Sequence, residues 1–258
     1  DGAVEELTER YRRIGGRSPL DELTERQRAA LERELGLPVY VGMKHWRPRI
    51  ADAVEQAVDG GADRLVAVVL APHYSALSIE GYRERLEASL QERAELVFVE
   101  SWHDAELFIA VLADRIRGTD AHVVFTAHSL PERILAMGDP YKDQLLKTSR
   151  LVADRAGVER WSFAFQSESP TGEPWLGPDI LDELTRLHAE GVEQVLVCPV
   201  GFVSDHLEIL WDLDVEARER AAELGLELDR IESLNDDPAF VAALGEVVRE
   251  ALRLPSSA

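Results

Sequence analysis

The chain has 258 residues, 45% hydrophobic and 30% charged, with 49 acidic side chains against 28 basic ones and a formal net charge of −21. That length is ample for a buried core, and the charge repels nucleic acid and anionic membrane surfaces, so neither is an expected partner. One cysteine, Cys198, excludes an intrachain disulfide and a thiolate-held iron–sulfur cluster. No apolar run approaches the roughly 20 residues of a membrane span and no signal peptide is visible, which reads as a cytoplasmic protein.

Residues 3–14 read as a helix stopped at Gly15 and Gly16. Ser18 and Pro19 make a turn, and a second helix covers 21–36, ending at Gly36. The β-rich run PVYVGM, 38–43, is expected to be a strand, and Arg47 and Pro48 open a helix through Val58. RLVAVVL at 64–70 is a buried strand, followed by the loop APHYSALS and a helix over 79–92. ELVFVES at 95–101 is the next strand, with a helix from Asp104 to Arg117. AHVVFTA at 121–127 is a strand that runs into the loop HSLPERILAMGDPY and a helix over 141–156. WSFAFQS at 161–167 leads into a long polar loop and a helix over 179–190. Strand 193–198 breaks at Pro199 and Gly201 and then runs into another helix. LELDRIES at 226–233 is the last strand, and a helix over 238–252 closes the chain.

Strands that alternate with helices, and that are continuous apolar runs, are the signature of a parallel sheet covered on both faces. The expected class is therefore α/β, with two Rossmann-like doubly wound halves, each a parallel sheet flanked by helices. The first half takes residues 1–116 with helix 238–252 packing back on it, and the second takes 117–237. Three strands fall in the first half and four in the second. Equal halves need one more strand at the front, so the first strand is expected to be missing before Asp1.

Chemistry collects after the strands, where open α/β sheets keep their sites. In VCPVGFVSDHLEILWDLDVE, Asp205, Glu208, Asp212 and Glu216 recur at spacings of three, four and four. On a helix those spacings stack carboxylates on one face, which suits a path for hydrated cations or protons and equally a solvated acidic face. His128 follows a buried strand and suits proton exchange or metal binding, or a structural role. No nucleophile elbow surrounds Ser129. His73 and the loop around it lack the glycines of a nucleotide site, and neither dinucleotide nor P-loop motif occurs. Asp139, before Pro140, reads as a helix start, Gln166 and Ser167 end a strand, and Trp175 either packs over a cleft or staples its loop. Arg10, Arg12, Arg13 and Arg17 surround GGRSP, an island suited to carboxylates or simply a solvated face. Without H-E-x-x-H or Cys-x-x-Cys, the incomplete His and carboxylate set suggests a transient metal.

Taken together and in order, IGGRSPL, LAPHYSALS, ESW, TAHSLPE, GDPY, QSESPTGEPWLGPD and CPVGFVSDHLEILWDLD resemble the ferrochelatases, most of all the soluble coproporphyrin ferrochelatases of Gram-positive bacteria. The resemblance spans nearly the whole chain. It implies a chelatase fold with a porphyrin cleft between the halves. It also implies insertion of Fe(II) into coproporphyrin III, giving coproheme with release of two protons in heme biosynthesis. Fe(II) is then a substrate, no cofactor is permanently bound, Mg enters at most as a modulator, and enzymes of the heme pathway are transient partners.

The resemblance pairs His128 with Glu208 across the cleft as catalytic and metal-binding residues. It adds Asp212 and Glu216 as further metal positions on a helix with a π-type widening. Arg10 and Ser18 fall where relatives bind substrate propionates, Tyr11 beside Arg10 is a further substrate-binding position, and Phe108 aligns with an aromatic position near the porphyrin. Relatives open with a strand and a loop of the type M-A-Y-G-T-P, whose tyrosine can ligate iron from the opposite face, and the residues from Asp1 onward hold no match to it. Insertion into protoporphyrin, or cobalt insertion into a sirohydrochlorin-type ring, are the neighbouring readings. A non-catalytic tetrapyrrole- or metal-binding relative is the reading of another class.

Overall fold

The structure, a computed structural model, describes residues 2–253, with side chains from residue 4. Three helices come first: α1 (Gly2–Arg13), α2 (Leu20–Leu35) and α3 (Ile50–Asp59). Then β1 (Arg64–Val68), α4 (Glu80–Leu90), β2 (Glu95–Val99) and α5 (Glu106–Ile116) alternate. The second half continues with β3 (His122–His128), α6 (Arg133–Ala136), α7 (Tyr141–Ala156), β4 (Trp161–Gln166), α8 (Ile180–Ala189) and β5 (Gln194–Cys198). A π-helix (Ile209–Ala217) runs directly into α9 (Arg218–Leu224), and β6 (Glu227–Arg230) and α10 (Pro238–Arg253) end the described chain.

All described strand pairs are parallel. β1 and β2 form a two-stranded sheet, and the second sheet has the order β4-β3-β5-β6. Central β3 is buried from Val123 to Ala127, which is why its sequence there is apolar except for Thr126. β1 and β2 are half-buried along their length.

The expected strand at 38–43 does not form. A strand needs a neighbour to take its N–H and C=O groups, and among the described pairings the first sheet consists of β1 and β2 alone, with no ladder to 38–43. The run keeps one bridge, Met43 to Arg49, with Met43 N donating to the Pro48 carbonyl at 2.8 Å. It lies instead against α3, where a Cβ on Gly42 would stand 2.9 Å from Ile50 Cα.

The main core unites both halves. Trp102 and Phe108 pack with Phe125 of β3, Leu145 of α7 and Phe240 of α10. α10 thereby returns to the first half, where Arg249 reaches back to Glu34 of α2 at 2.7 Å. The other face of the second sheet holds Val124, Ala164 and Leu184, and against them the π-helix presents Ile209, Leu213 and Ala217. Those three recur every fourth residue, one position after Glu208, Asp212 and Glu216. Burying the apolar row is favourable by roughly 1.5–3 kcal/mol for each large side chain. It therefore fixes where the acidic row points.

Candidate active site

β3 ends on His128, in register with Gln166 at the end of β4, and Ser129 N extends the pairing with a 2.8 Å bond to the Gln166 carbonyl. Backbone contacts orient His128. Its Nδ1 bonds the Ser129 carbonyl, and the Tyr141 hydroxyl donates to the His128 carbonyl at 2.9 Å. A ring that donates its Nδ1–H to a carbonyl keeps Nε2 as its basic atom. Nε2 lies 3.6 Å from Glu208 Oε1, while Glu208 Oε2 lies 3.5 Å from His206 Nε2. His206 Nδ1 donates in turn to the Ser204 carbonyl at 3.0 Å. One carboxylate thus sits between two imidazoles.

The electrostatics follow from that geometry. Burial opposes a charge on His128, but Glu208 and the Ser129 carbonyl outweigh it and hold the imidazole above its ordinary value. Burial likewise opposes a charge on Glu208, and the bonds to His128 and His206 overcome it, holding the carboxyl well below the usual range.

Asp212 comes one turn farther along. It is buried, and its Oδ2 accepts from Ser167 Oγ and, at 3.2 Å, from Gln166 Nε2. Ser167 reaches it from a left-handed conformation, φ 63°, which costs a non-glycine residue about 1 kcal/mol or more. Burial raises the Asp212 pKa against those two bonds, and the negative charge of Glu208 adds to the rise. Glu216 follows, its pKa raised by burial and then by the charge of Asp212. Arg10 acts on both in the opposite direction. The row therefore has a polarity: Glu208 at His128, then Asp212 at the end of β4, then Glu216.

Asp205 is not part of this row. It precedes the helix and anchors the loop, accepting from Ser233 Oγ at 2.6 Å and Asn235 Nδ2 at 3.1 Å and pairing with Arg230 at 3.4 Å. Arg230 is the hub here, with a bidentate pair to Asp214 of the π-helix at 2.9 and 2.7 Å. Gln27 of α2 closes the clasp from the first half, donating to Ser204 Oγ and the Asn235 carbonyl at 2.8 and 2.7 Å.

Phe108 also departs from expectation. It is wholly buried, edge-on to Trp102 at 5.0 Å between centroids, and offers no surface to a ligand. Its helix is apolar on most sides, so Phe108, Leu112 and Ile116 all turn into the core. Arg10 is half-exposed, with its guanidinium 5.4 Å from the Trp211 ring centroid. Tyr11 is half-buried on α1, and Ser18 Oγ accepts from Leu20 N at 3.3 Å, opening α2.

His73 is structural, buried with Nε2 2.8 Å from Thr148 Oγ1. Asp139 serves as a helix start, accepting from Tyr141 N at 3.0 Å. It also ties the halves together, accepting from Ser75 Oγ and Ala76 N at 2.9 and 2.8 Å. Trp175 lies beside His128, ring centroids 6.4 Å apart.

Sequence reasoning passed over His206 and Trp211, although His206 stands two residues from Glu208. Among the described residues no group of three or more His, Cys, Asp or Glu side chains is arranged to hold a metal. Cys198 is buried, and burial raises its thiol pKa. The arrangement offers a basic nitrogen, a carboxylate beside it and a graded acidic row, which suits handing over a cation and accepting protons.

The family model described as Ferrochelatase matches residues 2–252. A ferrochelatase of Herpetosiphon aurantiacus is 45% identical, over 95% of this chain and 87% of that one. A coproporphyrin III ferrochelatase of Halalkalibacterium halodurans is 41% identical, over 96% and 86%. Among solved structures, SirB from Bacillus subtilis with Fe3+ superposes with a TM-score of 0.65 at 16% identity, over 89% of this chain and 90% of that one, which shows a shared fold.

Proposed function

The chain belongs to the ferrochelatase family, and from that premise we propose that it inserts Fe(II) into coproporphyrin III, yielding coproheme and two protons. Support for coproporphyrin comes from the relatives that carry that substrate in their names. The observation that carries the chemistry is the His128–Glu208 pair, 3.6 Å apart at the head of an acidic row.

A free porphyrin is stiff and planar and holds two N–H protons. Metal entry requires its nitrogen lone pairs to tilt out of plane and both protons to leave, so a cleft that holds the ring bent favours the transition state. In this reading Nε2 of His128 and the Glu208 carboxylate face the ring. They meet the iron and take up the pyrrole protons, one group passing a proton across the short gap to the other. Asp212 and Glu216 carry hydrated cation inward or protons outward. Their raised pKa values suit proton carriage, because such carboxyls change charge nearer neutrality. Arg10 and Ser18 take substrate carboxylates, and Tyr11 adds a substrate contact beside them. Fe(II) enters as substrate and no resident cofactor takes part.

The test is anaerobic mixing of the protein with coproporphyrin III and Fe(II), followed by absorbance. Conversion to the coproheme spectrum is expected. A spectral shift without conversion would reduce the protein to a binder. Equal turnover of protoporphyrin would remove the substrate assignment while keeping the reaction.

A further inference from the structure

Arg10 and Arg13 stand one turn apart on α1, and both guanidinium carbons lie over the same indole, 5.4 and 5.5 Å from the Trp211 ring centroid. Arg12, between them, is more exposed and pairs with Glu9 on its own helix. Trp211 belongs to the π-helix and immediately precedes Asp212, so it carries both cations alongside the acidic row. Each guanidinium has an exposed carboxylate partner, Glu6 at 2.6 Å for Arg10 and Glu219 at 2.5 Å for Arg13. Such exposed pairs contribute little and exchange easily. The aromatic face is the more persistent seat, because it holds a guanidinium without using its N–H donors. What results is two donor-rich cations with replaceable counterions, beside a site whose other charges are mostly negative.

We propose that Arg13 is a further carboxylate-binding residue of the substrate site, the second arginine beside Arg10, exchanging Glu219 for a carboxylate of the tetrapyrrole while Trp211 keeps the guanidinium in place. This rests on the reading of the site as one for a carboxylate-bearing porphyrin. Glu219 is then a competitor for Arg13 and not its support. Removing the arginine and removing its partner must shift affinity in opposite directions, which no purely structural ion pair does.

The experiment is a fluorescence titration of the full chain with coproporphyrin III in the absence of iron. Arg13→Gln is expected to weaken binding about tenfold, the size of one charge-assisted pair. Glu219→Gln is expected to tighten it severalfold, and the double variant to behave as Arg13→Gln. With the tetramethyl ester of the same porphyrin the difference between wild type and Arg13→Gln should vanish. Parallel weakening by both single variants, an unchanged affinity in Arg13→Gln, or an equal loss with the ester would overturn the proposal. Wild type that binds no porphyrin would instead overturn the parent reading, and this one with it.

Discussion

His128 and His73 show how differently two histidines beyond apolar strands can be placed. His73 is sealed against Thr148, while His128 keeps Nε2 open toward Glu208. If this pair performs the insertion, His128→Ala and Glu208→Gln should each lower iron insertion about 100-fold or more, the usual worth of an acid–base group. Porphyrin affinity should stay within about threefold, and steady-state rates beside a binding titration read the split. Near-wild-type turnover in either variant would remove the assignment. Gly201 matters at the same scale. A Cβ there would lie 2.4 Å from Ala127 Cβ and 2.9 Å from Ala127 Cα, where β5's following loop crosses the end of β3. Because the obstacle includes backbone, the neighbour cannot rotate away. Gly201→Ala should cost about 1–3 kcal/mol in denaturant unfolding and displace His128, with a fall in activity beyond the stability loss.

At the scale of the element, the π-helix is the decisive piece. Its apolar row of Ile209, Leu213 and Ala217 seats it on the sheet, and its acidic row follows the same four-residue step. On its far side Arg230, only 9% exposed in its side chain, pins Asp214 and Asp205. Arg230→Met would leave both carboxylates facing a partly buried hole. Breaking a buried pair costs about 3–5 kcal/mol, and the partial exposure of these two carboxylates reduces that to roughly 2 kcal/mol. The expected signature in urea denaturation is a lower midpoint at unchanged slope. Arg230→Lys should retain part of the loss but not the bidentate contact. No change in either variant would show that the clasp does not hold the helix. The ladder was readable at this scale, but Asp205 was misplaced. Its spacing of three before Glu208 mimics a helix turn, and only Arg230, Ser233 and Asn235, distant in sequence, hold it in a loop.

Across the whole molecule, the joint between the halves runs through His73, Thr148 and Asp139 and is pH-sensitive. Burial depresses the His73 pKa from 6.5 to about 3, with the charge of His103 adding to the effect. The folded state therefore binds fewer protons than the unfolded one. The contribution is complete above about pH 6.5 and is lost as pH falls toward 3. Between pH 7 and 4 this group should remove about 3 kcal/mol of stability. His73→Gln should flatten that slope relative to wild type in unfolding measured across pH, and parallel slopes would exclude His73 as the cause.

Read by itself, the sequence determined the alternation of helix and strand and the parallel second sheet, while the pairing of His128 with Glu208 came from the family resemblance of their motifs. Those features are written locally, as apolar runs, glycine stops and specific motifs. The fate of 38–43 was not so written, because β-propensity without a hydrogen-bonding neighbour makes no strand. Nor was that of Phe108, although its four-residue spacing from Leu112 and Ile116 already marked a core face. Only the tertiary structure decided that the acidic row starts at Glu208, that Ser167 and Gln166 grip Asp212, and that Trp211 gathers two arginines. Each of these depends on which distant surfaces are buried against one another, and burial is a property of the assembled chain.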